Sequence, residues 1–171
     1  MDTLTPNQRH NNMSHIRSTG GTLETSLRSQ LFRFGFRFRK NDRHLAGSPD
    51  IVFPHYHAVV FINGCFWHAH GWKSEKSLIK SSVLPEKVLY SLGCAKFRMP
   101  TTNLDFWQKK FTRNRERDIR EIKTLLDEGW RVGVVWECAI TGKKRREKIY
   151  DIASRISYWL EEEFDQLFRE F

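Results

Sequence analysis

The stretch from His57 to His70 constrains the fold most, because an apolar run there passes directly into metal-binding and aromatic residues. Residues 57–62 are rich in Val and also carry Phe and Ile, which predicts a buried β-strand. This strand ends at Asn63-Gly64, and Cys65-Phe-Trp-His-Ala-His70 follows. We therefore expect a strand that delivers a thiol, two large aromatic rings and two imidazoles to one edge of a sheet.

Positive charge is concentrated in three segments of the 171-residue chain, whose formal net charge is +9. These segments are residues 28–43, 109–120 and 143–148, whereas residues 151–171 are net acidic. Localised positive charge is typical of a protein that binds nucleic acid. The alternative is a protein that is basic without such a partner.

The sequence predicts a cytoplasmic protein that does not contact a membrane. No apolar run approaches the ~20 residues that span a bilayer, and the first six residues lack the pattern of a signal peptide. In a reducing compartment, three widely spaced cysteines with histidines nearby indicate a metal site rather than disulfides.

Hydrophobic periodicity predicts a helix, three strands, a helix, a strand and a final helix, which is typical of an α/β fold with a mixed sheet. Thr22 is predicted to cap the first helix, and Thr102 with Asp105 to cap the second, which Gly129 ends. The predicted strands cover residues 34–39, 51–54, 57–62 and 130–136, and the last helix covers 143–171.

The domain organisation follows from the same patterns. Residues 1–21 have no period and cannot bury an apolar face, so we expect a flexible arm that becomes ordered on binding. Residues 22–171 are long enough to form one domain with its own core. Within it, residues 71–92 have only a weak apolar pattern and are interpreted as an insertion or a short helix.

Two of the predicted strands are joined only by Pro54-His55-Tyr56, which favours an antiparallel hairpin. Asp50 and Asn63 each lie at the end of their strand away from this connection. The hairpin is therefore expected to bring them to the same end of the sheet.

A first candidate site combines three thiols and one imidazole. A Cys₃His set suits tetrahedral zinc, and a structural site saturates the metal with protein ligands. This set uses every cysteine of the chain, although its spacing is loose. The alternative is that each cysteine is a small buried apolar residue. The four residues are Cys65, His70, Cys94 and Cys138.

A second candidate site combines carboxylates with a histidine and suits phosphodiester hydrolysis, which needs a carboxylate to hold Mg²⁺ and a base to activate water. Asp50 is the candidate metal ligand, and Glu24 and Asn63 are candidates beside it. His68 has an intrinsic pKa of about 6.5, which suits a general base. Asp118 can orient its imidazole.

Each member of this set also has a structural interpretation. Glu24 can stabilise a helix N-terminus, and Asp50 can end a turn. The charged block 113–118 can be a solvated helix face.

For the adjacent rings of Phe66 and Trp67, one interpretation is a wedge between base pairs. The other is that one ring is core and the other covers the metal.

Seven motifs together resemble the very-short-patch repair (Vsr) family of DNA mismatch endonucleases. The resemblance runs from about residue 12 to residue 140, and the order Gly-Cys-Phe-Trp-His followed by Trp-Glu-Cys is highly specific. The motifs are Gly47-Ser-Pro-Asp50, Val60-Phe-Ile-Asn-Gly-Cys-Phe-Trp-His-Ala-His70, Phe97-Arg-Met-Pro100, Phe106-Trp107, Asn114-Arg-Glu-Arg-Asp118, Gly129-Trp-Arg-Val132 and Val135-Trp-Glu-Cys138. Asn12-Met-Ser-His-Ile16 and Glu24 also fit.

The resemblance implies a restriction-endonuclease-like fold, a mixed central sheet flanked by helices, with a structural zinc site. It implies a Mg²⁺-dependent nick on the 5′ side of the thymine in a T:G mismatch, left by deamination of 5-methylcytosine. The cut leaves a 5′-phosphate. The implied partners are mismatched double-stranded DNA and a cytosine-5 DNA methyltransferase system, and the protein is expected to act as a monomer at the bacterial nucleoid.

The resemblance also implies roles for single residues. Asp50 and the backbone carbonyl of Ile62 would bind Mg²⁺, His68 would be the general base, Asp118 would support it, and Glu24 would act through metal-bound water.

Further roles concern the DNA and the zinc. The wedge beside the mismatch, carried by the arm and the central turn, would consist of Met13, Phe66 and Trp67. The zinc ligands would be Cys65, His70, Cys94 and Cys138.

The sequence departs from the best-known family pattern at Ile62-Asn63, where that pattern has Thr-His. An amide cannot act as a protonated acid. Two other hypotheses therefore stand beside T:G nicking: a nuclease of the same fold with a different specificity, and a zinc-containing DNA-binding protein without catalysis.

Overall fold

The computed structural model describes residues 5, 7, 8, 11, 21–72, 94–163 and 165–171. Its helices are α1 (Thr22–Arg33), α2 (Leu104–Asp127) and α3 (Arg145–Glu162). Its strands are β1 (Arg39–Lys40), β2 (Ile51–Phe53), β3 (Ala58–Asn63), β4 (Arg131–Trp136) and β5 (Phe168–Glu170). Short 3₁₀ turns cover Pro54–Tyr56 and Glu137–Ile140.

The five strands form one sheet in the order β1-β2-β3-β4-β5. The pairs β1/β2 and β2/β3 are antiparallel, whereas β3/β4 and β4/β5 are parallel. Parallel neighbours need a crossover connection, and α2 and α3 supply the two crossovers. The predicted α/β class with a mixed sheet is confirmed.

Helices cover both faces of this sheet because successive side chains of each strand point to opposite sides. On β2, Ile51 and Phe53 pack in the cluster that contains α1 and α3, whereas Val52 packs in the cluster that contains α2. On β3, Val60 and Val59 divide in the same way. The described residues therefore form a three-layer sandwich, and α2 is the one described helix on its second face.

The β2–β3 hairpin is confirmed. The turn at Pro54–Tyr56 pairs Phe53 with Ala58, and the backbone N–H of Ile62 donates a hydrogen bond of 2.7 Å to Asp50 Oδ2. Asp50 therefore lies beside the far end of β3, as the sequence predicts.

The strand predicted over residues 34–39 is wrong for most of its length. Only Arg39 and Lys40 pair with β2. The rings of Phe36 and Phe38 instead lie 5.9 and 5.8 Å from the ring of Phe53. The alternating aromatic pattern reflects packing onto the core rather than pairing in the sheet.

The final helix predicted over 143–171 is also wrong beyond Glu162, where the chain leaves α3 and forms β5 beside β4. The buried Arg131 side chain donates to the carbonyl oxygens of Leu160 at 3.3 Å and Glu163 at 2.8 Å. These bonds satisfy carbonyl groups that the end of a helix leaves without partners.

The two predicted helix caps differ from the structure. The N-cap residues are Gly21 and Asn103, and neither α1 nor α2 has a side-chain cap hydrogen bond. Thr22 is the first helical residue instead. Gly129 has a φ of 82° and ends α2 as predicted.

The predicted arm (1–21) and insertion (71–92) fall almost entirely outside the described residues. Among the described helices, none has the length and apolarity needed to cross a membrane.

Glu170 on β5 makes stability depend on pH. The indole N–H of Trp136 donates to its Oε1 at 2.8 Å, but burial raises the pKa of Glu170 from 4.5 to about 7. Because folding disfavours the charged form, stability should fall as pH rises from 4.5 to about 7. In urea denaturation at pH 8, Glu170→Gln should increase the free energy of unfolding by about 1–2 kcal/mol.

The matched control is Glu162→Gln, which removes a carboxylate from the exposed end of α3. It should keep the pH dependence of the wild type. A Glu170→Gln variant with the same pH dependence as the wild type would contradict the assignment.

Candidate active site and metal centre

A polar cavity of about 700 Å³ opens at the edge of the sheet where β2 begins and β3 ends. Carboxylates and a histidine from α1, the β2–β3 hairpin, the turn after β3 and α2 converge on it. The structure thus brings together all five residues predicted as catalytic: Glu24, Asp50, Asn63, His68 and Asp118.

The backbone of the Gly47-Ser-Pro-Asp50 motif fits tightly into this cavity. Gly47 has a φ of +72°, and a Cβ there would lie 2.8 Å from Glu121 Oε2 and 3.0 Å from the Phe61 ring. Only glycine combines this backbone conformation with so little space. The motif therefore leads the chain directly past the cavity wall to Asp50.

Asp50 is held in a partly desolvated position. Burial raises the pKa of Asp50, the neighbouring Glu24 carboxylate raises it as well, and the net value is about 6. The Ile62 N–H and Arg28 act in the opposite direction. Two carboxylates at one partly buried place favour a bound cation, because a positive charge lowers the cost of ionising both.

Arg28 lies behind the two carboxylates and is a candidate site residue that the sequence interpretation missed. It is 7% exposed, and its Nη2 lies 3.3 Å from Glu24 Oε2 and 3.8 Å from Asp50 Oδ1. The same nitrogen donates to Asn41 Oδ1 and to the Asp50 carbonyl oxygen, each at 2.8 Å. The sequence feature that could have identified Arg28 is its position four residues after Glu24, on the same face of α1.

His68 and Asp118 form the closest polar pair of the cavity. His68 Nδ1 donates to Asp118 Oδ2 at 2.6 Å, because the carboxylate can only accept. Arg117 Nη2 donates to the other oxygen, Oδ1, at 3.1 Å. The imidazole is therefore fixed in one tautomer, and its Nε2 is left as the basic nitrogen.

Helix α2 holds the turn after β3 by one face. Asn114 Nδ2 donates to the Trp67 carbonyl oxygen at 2.8 Å, and the buried Arg115 donates to the Ala69 carbonyl oxygen at 2.8 Å. With Asp118, these residues stand at helix spacings of one, three and four, so they lie on one side of α2. The interpretation of residues 113–118 as a solvated helix face is wrong for these three side chains.

Asn63 is 7% exposed at the end of β3 and lines the cavity. Glu121 lines it as well, and burial raises the pKa of Glu121. Glu121 was not among the sequence candidates. The sequence feature that could have identified Glu121 is its position three residues after Asp118, about one turn along the same helix.

Phe66 and Trp67 lie in an aromatic cluster between the turn and α2. The Phe66 ring makes edge contacts with the rings of Trp67, Trp107 and Phe111 at centroid distances of 5.1, 5.3 and 5.4 Å. Lys110 Nζ lies 5.1 Å from the Trp67 ring centroid. Both Phe66 and Trp67 remain partly exposed, so large apolar rings beside a cation reach solvent at this edge. Met13 lies outside the described residues.

The four predicted zinc ligands converge behind the same turn, with their ligand atoms within 4.8 Å of one another. His70 Nδ1 lies 3.6 Å from Cys65 Sγ and 3.5 Å from Cys138 Sγ. A tetrahedral ion with bonds of about 2.3 Å to sulfur and about 2.0 Å to nitrogen requires an S–N separation of about 3.6 Å. The donors therefore fit a tetrahedral metal ion.

The pKa shifts of this cluster differ among its four members. Burial raises the pKa of the Cys65 and Cys138 thiols, whereas backbone and side-chain hydrogen bonds lower the pKa of Cys94 despite its partial burial. Burial and the Arg115 cation lower the pKa of His70, which favours the neutral imidazole that a metal binds. A bound cation would favour the thiolate forms.

The Trp136-Glu137-Cys138 motif supports the cluster from a second side. The Trp136 ring stacks on the His70 ring at a centroid distance of 4.0 Å. Glu137 accepts from the Cys65 N–H at 3.2 Å and from Lys96 Nζ at 2.8 Å. The motif thus connects the end of β4 to the turn and to the Cys94 loop, a role for Trp136 and Glu137 that spacing alone did not reveal.

Comparison with known proteins shows which family the chain is similar to. Residues 1–74 match the family described as DNA mismatch endonuclease Vsr. The type II nicking enzyme V.XorIIP of Xanthomonas oryzae is 38% identical over 140 residues, which cover 82% of this chain and 87% of that protein. The DNA mismatch endonuclease Vsr of Escherichia coli is 36% identical over 154 residues, covering 89% and 83%. The type II nicking enzyme V.NmeAIP of Neisseria meningitidis is 39% identical over 142 residues, covering 83% and 86%.

The metal cluster predicts that loss of one thiol weakens metal binding. Cys94 is one of the three half-buried ligands, and Cys94→Ser leaves only three of the four ligands. Elemental analysis after gel filtration in a weak chelator should find a tightly held metal ion in the wild type and a strongly reduced content in the variant.

The matched control is His55→Ser, which removes an exposed histidine outside the cluster. Its metal content should equal that of the wild type. An unchanged content in Cys94→Ser would remove Cys94 from the ligand set.

Proposed function

The chain belongs to the Vsr family of DNA mismatch endonucleases, and from that premise we propose that it nicks one strand of duplex DNA on the 5′ side of the thymine in a T:G mismatch. The observation that carries the proposal is the pairing of His68 with Asp118 in the cavity that Asp50 also lines. A base with a fixed tautomer beside a desolvated carboxylate suits hydrolysis of a phosphodiester.

The cavity fits a divalent cation with oxygen ligands. Asp50 and Glu24 offer carboxylate oxygens, and the pKa of Asp50 is raised first by burial and then by the Glu24 charge, both of which a bound cation would offset. We assign Mg²⁺ to Asp50 and the Ile62 carbonyl oxygen, since Mg²⁺ prefers hard oxygen donors and few protein ligands. When bound, Mg²⁺ polarises the phosphate and stabilises its developing charge.

The protein side chains account for the proton transfers. His68 Nε2 takes a proton from the attacking water, whose oxygen forms a bond to phosphorus while the bond from phosphorus to the 3′ oxygen breaks. Asp118 stabilises the imidazolium that results. The thymine keeps the 5′-phosphate, and the 3′ oxygen leaves with a proton from solvent. Asn63 lines the cavity, so its side-chain amide can donate a hydrogen bond there. An amide cannot transfer a proton as an acid.

The partly exposed rings of Phe66 and Trp67 support a role as a wedge beside the mismatch. Insertion of apolar side chains unstacks base pairs at a cost of a few kcal/mol per step, and a mismatched pair is the easiest to open. Lys110 beside Trp67 adds a cation next to the DNA backbone. Met13 on the arm is assigned to the same wedge.

The Cys₃His cluster is assigned to structural zinc, because four protein ligands leave no open position for substrate. The sandwich is assigned to the restriction-endonuclease-like type, with residues 22–171 as one endonuclease domain. The protein is proposed to act as a monomer, alongside a cytosine-5 DNA methyltransferase system whose methylated sites generate T:G mismatches by deamination.

The test is a panel of labelled duplexes that each contain one mismatch, incubated with protein and Mg²⁺. We expect one nick, 5′ of the mismatched thymine, on the T:G duplex. Asp50→Ala and His68→Ala should each lower the single-turnover rate about 10²–10⁴-fold, because each removes a group needed for the transition state.

The matched control is His44→Ala, an exposed histidine in the loop before β2, which should cut at the wild-type rate. Equal cutting of matched or other mismatched duplexes would favour a nuclease of different specificity. The departure from the family pattern at Asn63 motivates this alternative. Binding without any cutting would favour the non-catalytic DNA-binding hypothesis.

A further inference from the structure

A second groove lies between α1 and the beginning of α3, and the function described above does not use it. Its volume is about 900 Å³. Hydroxyl groups of α1 form one wall, and three arginines lie around it: Arg33 from α1, and Arg145 and Arg146 from α3. Among the described residues that line the groove, none is acidic, so its walls carry a formal charge of three positive units.

The three guanidinium groups differ in the contacts that they form. Arg145 Nη2 donates to the Thr22 carbonyl oxygen and to Ser26 Oγ, each at 2.9 Å, which anchors it between the two helices. Arg33 and Arg146 are exposed, and neither forms an ion pair with any other residue in the described part of the chain. Like charges gathered without counter-charges favour an anionic ligand.

The shape and chemistry of the groove favour a phosphate backbone. Arginine donates two parallel hydrogen bonds to a phosphate, and serine and threonine hydroxyls are common phosphate donors. Thr25 and Ser29 are exposed on the wall that faces the arginines. An open polar groove of this size suits an extended chain of phosphates rather than a small apolar ligand, whose sites are mostly apolar.

The N-terminal segment of the same chain is an unsuitable occupant. Residues 1–20 contain one aspartate and two arginines, so their own charge is positive. A second copy of the chain offers acidic residues near the end of α3, at Glu161, Glu162 and Glu163. That contact would pair side chains in a high-dielectric surface setting, where each pair contributes little.

Helix α1 connects the groove to the active-site cavity. Glu24 lines the cavity, whereas Thr25 and Ser29 line the groove. The two sites are therefore on different sides of one helix, whose diameter with side chains is about 10–12 Å. A duplex carries one negative charge per about 1.7 Å of its axis, so DNA bound in the cavity has further phosphates at this distance.

We propose that the α1–α3 groove binds backbone phosphates of double-stranded DNA outside the mismatch, with Arg33 and Arg146 as the contacting residues and Arg145 as the residue that joins α3 to α1. The proposal rests on the proposed function in that both assume duplex DNA as the ligand. The groove adds affinity that is independent of base sequence, because phosphate contacts carry no base information.

The test measures equilibrium binding of a labelled duplex of ~40 base pairs with one T:G mismatch, at several salt concentrations and without added divalent metal. Each phosphate contact contributes about 0.9 to the slope of log K against log salt concentration. The double variant Arg33→Gln/Arg146→Gln should therefore lower that slope by about 2 and weaken binding at least about tenfold at ~0.1 M salt.

The matched control is Lys123→Gln/Arg155→Gln, which removes the same charge from exposed positions on α2 and α3 outside the groove. Its slope should stay close to that of the wild type. Circular dichroism and thermal unfolding establish that both double variants are folded.

A groove variant with the wild-type slope would overturn the proposal. An equal decrease of the slope in the control variant would also overturn it, because it would indicate a general effect of charge. Sedimentation that shows a wild-type dimer and a monomeric groove variant, with unchanged DNA binding, would overturn it in favour of an interface between copies. The proposed function is tested separately by nicking of the same duplex with Mg²⁺. If the wild type does not nick the duplex but the groove variant has a reduced slope, the proposed function is rejected and the phosphate-binding groove is supported.

Discussion

The hydrogen bonds from one face of α2 to the turn after β3 are the contacts on which the site depends. Asn114 and Arg115 hold two backbone carbonyl oxygens of this turn, and Asp118 holds the His68 ring. The turn has short-range backbone hydrogen bonds of its own, such as those from His68 to Gly64 and from His70 to Cys65, but these do not fix its position on the sheet. Because α2 is the only described helix on its face of the sheet, it positions the base, the exposed rings and two of the metal-binding residues together.

Electrostatic compensation links this turn to the other side of the cavity. Glu24 and Asp50 are two carboxylates in a partly buried place, and Arg28 beneath them supplies one positive charge. Burial and the charge of Glu24 together outweigh Arg28 and the Ile62 N–H, so the pKa of Asp50 is raised to about 6. The remaining negative charge faces the cavity, where it favours a divalent cation and, through it, a phosphate. In the proposal above, the basic groove on the far side of α1 contacts further phosphates of the same duplex.

The sequence predicts the residues of the site better than the elements at its edges. Asp50 and Asn63 could be placed at one sheet edge because a short turn joins their strands, and the cysteines could be grouped by chemistry. The strand at 34–39 was wrong because aromatic alternation also arises from packing against Phe53. The β5 strand was missed because three residues give too short a pattern. Arg28, Arg115 and Trp136 were missed because their roles depend on three-dimensional neighbours.

We infer that α2 and the Cys₃His cluster together hold His68 on Asp118. Proton NMR tests it most directly, because an imidazole Nδ1–H that donates to a carboxylate gives a distinct low-field resonance, which Asp118→Asn would identify by its loss. We predict that this resonance is sharp in the metal-loaded protein and is lost or strongly broadened when a chelator removes the cluster metal. A resonance that is unchanged in position and width after metal removal would contradict the account.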